Sequence, residues 1–334
     1  MGNGICTLAN DAVYDQVLAL INSVEMNAGE AMPVCIYPYD DRLDKLRQLA
    51  AERPQVKLFE DQVIIQRWDA WVEKIWSCHP TAATKWLAVN GKPGIHRMGT
   101  HRRFCAFDGP FDRFIYMDAD TLLLRNPEPI FEALETVDWV TYDFQYKDLS
   151  HVFAVDSPQM TILFTQDALK NKTFCSGFYG SKRGLIGAAE IEFYLEKLSQ
   201  GEAEVLYPMA PDQTILNYFV LRQPIASVNL ALTLKPEERT GNSVTSLHFE
   251  EQNGQVFDKG VPLLYLHYIG LSSKFFARLC QGENLAIPYR DTFLHYRFHN
   301  LAATLPAFKG KPMPLTPVRK GIPARILQKA KSLF

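Results

Sequence analysis

The sequence predicts an α/β fold built on a mainly parallel sheet covered by helices, and three observations predict it. Short apolar segments alternate with amphipathic ones through the first 125 residues, the pattern of strands joined by crossover helices. The chain has 334 residues and is 47% hydrophobic, enough to bury a sizeable core. Polar residues follow directly after two of the expected strands, at the rim where open parallel sheets bind ligands.

The elements follow in order. Gly4 to Leu8 reads as the first strand. Asn10 or Asp11 then supplies an N-cap for an amphipathic helix over Val13 to Met26, with Val13, Val17, Leu20, Ile21 and Val24 on one face. Pro33 to Tyr37 is a second strand, Asp41 to Ala51 a polar-faced helix and Val56 to Phe59 a third strand. An aromatic helix, Trp68 to Trp76, precedes the loop NGKPG (Asn90 to Gly94), and a further helix spans Thr100 to Phe107. Phe114 to Met117 is the fourth strand. Beyond residue 150, strands are expected at Thr161 to Thr165, Phe178 to Gly180, Ser227 to Leu232 and Leu263 to His267. Helices are expected at Ala188 to Leu198 and Asp212 to Val220. No linker or repeat separates the halves, so one large domain over 1–305 is expected, with a nucleotide-type half (1–125) and a second half (126–305).

Residues 306–334 read as a basic, Pro-rich tail. From Lys309 onward there are seven basic residues and no acidic one, which leaves 28 basic against 37 acidic in the rest. Ile326, Leu327, Ala330 and Phe334 would share one side of a short helix. Two readings stand: peripheral contact with an anionic membrane, or one apolar turn packed on its own domain. An acidic body with so short a basic segment argues against nucleic-acid binding. The six cysteines are scattered without a CxxC pair, and no basic-then-apolar leader opens the chain. A cytoplasmic protein with reduced thiols is expected, possible membrane association being confined to the tail.

The segment FDRFIYMDADTLLLRNP places Asp118 and Asp120 between two apolar runs. Burying unpaired carboxylates is costly, so the pair must be exposed, paired or holding a cation. Two carboxylates on a strand-to-loop turn suit one hard cation such as Mg²⁺ or Mn²⁺, and a solvated turn is the bland alternative.

In its context this segment resembles the metal-binding motif of GT-A glycosyltransferases, most closely the family-8-type glycogenin and galactosyltransferase-like members. The resemblance covers most of residues 4–275 through five blocks in order. It implies a GT-A fold and transfer of a sugar from a nucleotide-diphosphate donor, a UDP-sugar, to a saccharide, glycolipid or protein acceptor. By the same resemblance CTLANDAVY implies nucleotide contacts at Thr7, Ala9, Asn10 and Tyr14. THRRF implies a donor-binding Arg103, and the DxD itself adds Asp118, Ala119 and Asp120. APDQTILNYF matches a DQDxLN motif and implies catalytic roles for Asp212 and Gln213, with Thr214 where the family has Asp. LLYLHYIGLSSK implies His267 as third metal ligand, Gly270 against the diphosphate and Lys274 as its counter-charge, although Lys274 comes one residue late and Phe275-Phe276 replace Pro-Trp. TFCSGFYG implies acceptor-side positions at Ser176 and Gly177, and YDFQY (Tyr142 to Tyr146) a possible acceptor wall.

Retention of configuration is what the family implies. Inversion would require a general base, for which Asp143, Asp148 and Asp156 are the candidates. Rival functions are a sugar-nucleotide-binding protein without turnover and a nucleotidyltransferase, although the latter's Gly-rich phosphate loop is missing from TLANDAVY. Phosphatases of the haloacid-dehalogenase type carry DxDx[TV], which Leu122 breaks.

Overall fold

The computed structural model describes residues 2–299 and 305–315. Its centre is a seven-stranded sheet. In chain order the strands are β1 (Asn3–Ala9), β2 (Val34–Pro38), β3 (Val56–Leu58), β4 (Arg113–Met117), β5 (Thr121–Leu123), β6 (Trp139–Thr141), β7 (Phe178–Lys182) and β8 (Ser227–Asn229). All but β5 belong to this sheet, in the order β3-β2-β1-β4-β7-β6-β8. Only β7 runs against its neighbours. The mixed, mainly parallel sheet predicted from sequence is therefore present, and it continues unbroken across residue 125.

Helices cover both faces, as a parallel sheet requires. The helix Tyr14–Ala28 packs Val17, Leu20, Ile21 and Val24 onto one face, together with Leu46 and Leu49 from Asp44–Glu52. The other face is aromatic: Trp68, Trp76, Trp86, Phe104 and Phe107 pack against Tyr116, Trp139 and Tyr179. A third cluster joins β5 to a C-terminal meander, β9 (Glu250–Gln252), β10 (Gln255–Asp258) and β11 (Val261–Pro262), and to β12 (Tyr265–His267). No helix among the described residues is long and apolar enough to cross a membrane. All six cysteines are free thiols.

Several elements differ from expectation for local reasons. Thr161 to Thr165 is not a strand. Gln159–Leu163 is helical, and Thr165 caps the next helix by accepting from Ala168 N at 3.1 Å. The strand expected over Ser227 to Leu232 stops at Asn229, whose side chain caps Leu230–Thr233. Thr100 to Phe107 lies in a 3-10 segment, Met98–Asp108. Asp212 is not the N-cap of its helix; Ala210 is, with Pro211 in the first turn. The amphipathic tail segment with Ile326, Leu327, Ala330 and Phe334 lies outside the described residues.

One buried amide ties the helix Pro211–Arg222 to the loop before β7. Asn217 accepts from Phe174 N and donates to Phe174 O, each at 2.9 Å, and is fully buried. Asn217→Ala leaves both backbone groups of Phe174 without partners. It should cost about 3 kcal/mol, read as a lower urea midpoint at unchanged slope.

Candidate active site

Three strand ends converge on one edge of the sheet. β1 ends at Ala9, β2 is followed by Tyr39, and β4 is followed by Asp118. Together they open a cleft of about 360 Å³ lined also by Asn10, Val13, Arg97, Arg103, Ala119 and Asp120. His267 reaches this edge because β12 pairs antiparallel with β5, placing it opposite Thr121. Tyr268 N donates to Asp120 O at 2.8 Å and locks that register.

Asp118 is divided in its loyalties. Its Oδ1 accepts from Arg103 Nη2 at 3.0 Å and from the Tyr116 hydroxyl at 2.9 Å. Its Oδ2 faces Gly177, where a Cβ would stand 3.1 Å from it and 2.5 Å from His267 Cε1. His267 Nε2 lies 3.3 Å from Asp120 Oδ1. One ligand atom from each of Asp118, Asp120 and His267 falls within 4.8 Å of the others. Two hard carboxylates and an imidazole in that space fit one divalent cation at about 2.1 Å from each, with positions left for substrate oxygens.

The charges answer one another. Burial pushes the Asp118 carboxyl up, more than Arg103 pulls it down. Asp120 and His267 resist burial as a pair: Asp120 is held below the carboxylate range, and the imidazole is held protonated well above its own. That proton must leave for Nε2 to act as a ligand, so cation affinity falls on acidification.

Arg103 lines the cleft while its guanidinium is engaged within the protein. Its side chain is only 4% exposed and its groups are spent within the protein. Nη2 lies 3.0 Å from both Asp118 and Asp212, Nη1 donates to Ser176 O at 2.8 Å and Nε to Thr100 O at 3.1 Å. Burial opposes its charge, but the two carboxylates hold it fully protonated. Asp212 is correspondingly held low despite its own burial. Gln213 accepts from Ser176 N at 3.0 Å and donates to His151 O at 2.8 Å.

The remaining predicted residues scatter. Ala9, Asn10 and Ala119 line the cleft. Asn10 is also the cap of Asp11–Val13 and donates to Asp40 at 2.8 Å. Thr7 is fully buried within β1. Tyr14 lies outside the cleft lining with Lys45 Nζ over its ring at 5.6 Å, while Val13 and Tyr39 line it. Gly270 is exposed in the turn after β12 and Lys274 in the first turn of the helix Ser273–Cys280, while Leu271 and Ser273 line the cleft. Tyr39 and Arg97 escaped sequence reasoning. The signal for Tyr39 was its place just past a strand end.

His267 also lines a second cleft of about 410 Å³ with Asp143, Phe144, Asp148, Cys175 and Tyr265. Asp156 is exposed and outside that lining. Burial pushes the Asp143 carboxyl up to about 6, against backbone N–H donors from Gln145 and Cys175.

Two outcomes follow. Gly177→Ala should weaken Mn²⁺ binding at least about tenfold by pushing His267 and Asp118 apart, read by paramagnetic resonance, with the fold retained. For Asp143, the folded carboxyl keeps its proton up to about pH 6 while the unfolded one releases it near pH 4. Its contribution to stability is therefore present below pH 4 and lost by pH 6. Asp143→Asn should gain on wild type across that window, approaching about 3 kcal/mol in denaturation series at stepped pH.

At the level of sequence, no family model and no curated protein matches the chain. Solved structures do. The bifunctional glycosyltransferase WbbM aligns with a TM-score of 0.53 at 15% identity, covering 90% of this chain and 50% of that one. This chain thus spans half the length of WbbM. The galactosyltransferase LgtC, in complex with donor and acceptor sugar analogues, aligns at 0.49 and 12% identity over 82% of this chain and 94% of that one. GlyE of Streptococcus pneumoniae TIGR4 aligns at 0.49 and 14% over 90% and 61%. The WbbM alignment carries the assignment: the chain has the GT-A fold of glycosyltransferases.

Proposed function

We propose that the chain is a divalent-cation-dependent glycosyltransferase that moves a sugar from a UDP-sugar to an acceptor hydroxyl with retention of configuration. The observation that carries this reading is the Asp118, Asp120 and His267 cluster, whose two carboxylates follow the parallel strand β4 and line the cleft. Asp118 Oδ2, Asp120 and His267 Nε2 would hold Mn²⁺ or Mg²⁺. Such a cation neutralises a diphosphate and improves it as a leaving group.

The chain's own residues do the rest. Ala9, Asn10 and Ala119 present backbone and amide groups where the nucleoside would lie. Asp212, with its charge fixed by Arg103, and Gln213 stand beside Ser176, next to Arg103 of the cleft lining, and would serve the anomeric carbon. The acceptor would occupy the second cleft, between Phe144 and Tyr265. The half up to residue 125 would then serve the nucleotide and residues 126–305 the sugar and acceptor. A cytoplasmic enzyme with its basic tail against a membrane surface suits a glycolipid acceptor. One observation favours a second reading, inversion: Asp143 has its pKa raised to about 6 in the acceptor cleft, the range of a general base.

Calorimetric titration of UDP and GDP, with and without Mn²⁺, tests the proposal. UDP should bind only with Mn²⁺, more tightly than GDP, and Asp120→Ala should abolish it. No nucleotide binding under any metal condition would sink the reading.

A further inference from the structure

The charge balance of the donor cleft is incomplete in one respect. Among the described residues its lining carries two arginines and no lysine against Asp118 and Asp120. Arg103 is consumed by Asp118, Asp212, Ser176 O and Thr100 O, with its plane over Tyr116 at 4.7 Å. Lys274 is exposed and outside the lining.

Arg97 is different. Its side chain is exposed into the cleft, and among the described residues no hydrogen bond or ion pair engages its guanidinium. Its backbone sits in the left-handed region, φ 51 and ψ 42, which an arginine adopts at a cost of about 1 kcal/mol. The surroundings impose this. Thr100 N and Oγ1 both donate to Arg97 O at 2.8 Å. Gly99 lies so close to the Tyr39 carbonyl that any Cβ would collide with it. The segment is thereby pinned to the end of β2, with Arg97 held at the mouth of the cleft. Arg97 also helps hold Asp212 low, so its field reaches past Arg103.

We infer that Arg97 is the cation that receives the diphosphate of the donor in this cleft, the part that the family resemblance gives to Lys274 and Arg103. This rests on the nucleotide-sugar reading. A free guanidinium offers paired N–H donors that match phosphate oxygens.

The test is calorimetric titration of UDP and of uridine, with Mn²⁺ present, into wild type, Arg97→Ala, Arg97→Gly and Lys274→Ala. Arg97→Ala should weaken UDP about tenfold or more and leave uridine unchanged. Lys274→Ala should stay within about twofold of wild type for both. Arg97→Gly should lose UDP to the same extent while unfolding at an equal or higher urea concentration, because glycine removes the backbone strain. UDP binding to Arg97→Ala at wild-type strength overturns this inference alone, as does a parallel loss of uridine. Wild type that binds no UDP overturns it together with the nucleotide reading.

Discussion

The site hangs on one buried cation. Arg103 joins the 3-10 segment Met98–Asp108, the turn after β4, the loop before β7 and the first turn of Pro211–Arg222. Two carboxylates this close to each other in a dry interior would repel and drive one another toward protonation. With Arg103 bridging them through Nη2, Asp118 and Asp212 keep fixed places. Removing one member of such a buried set is costly, because the others are left as uncompensated charge. The geometry of the cleft is thus set by an interaction whose outer members, Arg103 and Asp118, also line it.

The sheet supplies the rest by register. Strands β1, β2 and β4 end at one level because they are parallel neighbours, and the β5–β12 ladder carries a residue from position 267 to the turn at 118–121. Close approach at this point depends on Gly177, since only a residue without a side chain leaves room for an imidazole and a carboxylate on the same side. The aromatic layer under β4 and β7, with Trp139 stacked on Tyr179 at 4.6 Å, makes that floor rigid.

Much of this was legible in the sequence. The alternation of strands and helices, the carboxylate pair after β4 and the distant histidine follow from local pattern and from motif order. What stayed hidden depends on contact between segments far apart in the chain. For Arg103 the sequence shows a charge, fit for a donor contact or for the surface, but not the two carboxylates that engage it. Tyr14 came from the family resemblance, whereas Tyr39, which lines the cleft, carries no local motif to mark it. Thr161 to Thr165 looked like a strand because its apolar residues fit either period, and the threonine cap decided for helix. Nothing in the residues around Arg97 announces a left-handed arginine, since that conformation is imposed by Gly99 and Tyr39 packing together.

The position of His267, against Asp120 and in the wall of the second cleft, has a consequence for how the two clefts communicate. One imidazole forms part of the wall between them, touching Asp120 on one side and lining the Asp143 cleft on the other. Whatever fixes that ring from the first cleft alters the surface offered in the second. By thermodynamic reciprocity, any preference this creates runs equally in both directions. A molecule seated in the second cleft must tighten or loosen the first by the same factor, so the coupling between two ligands runs through a single side chain.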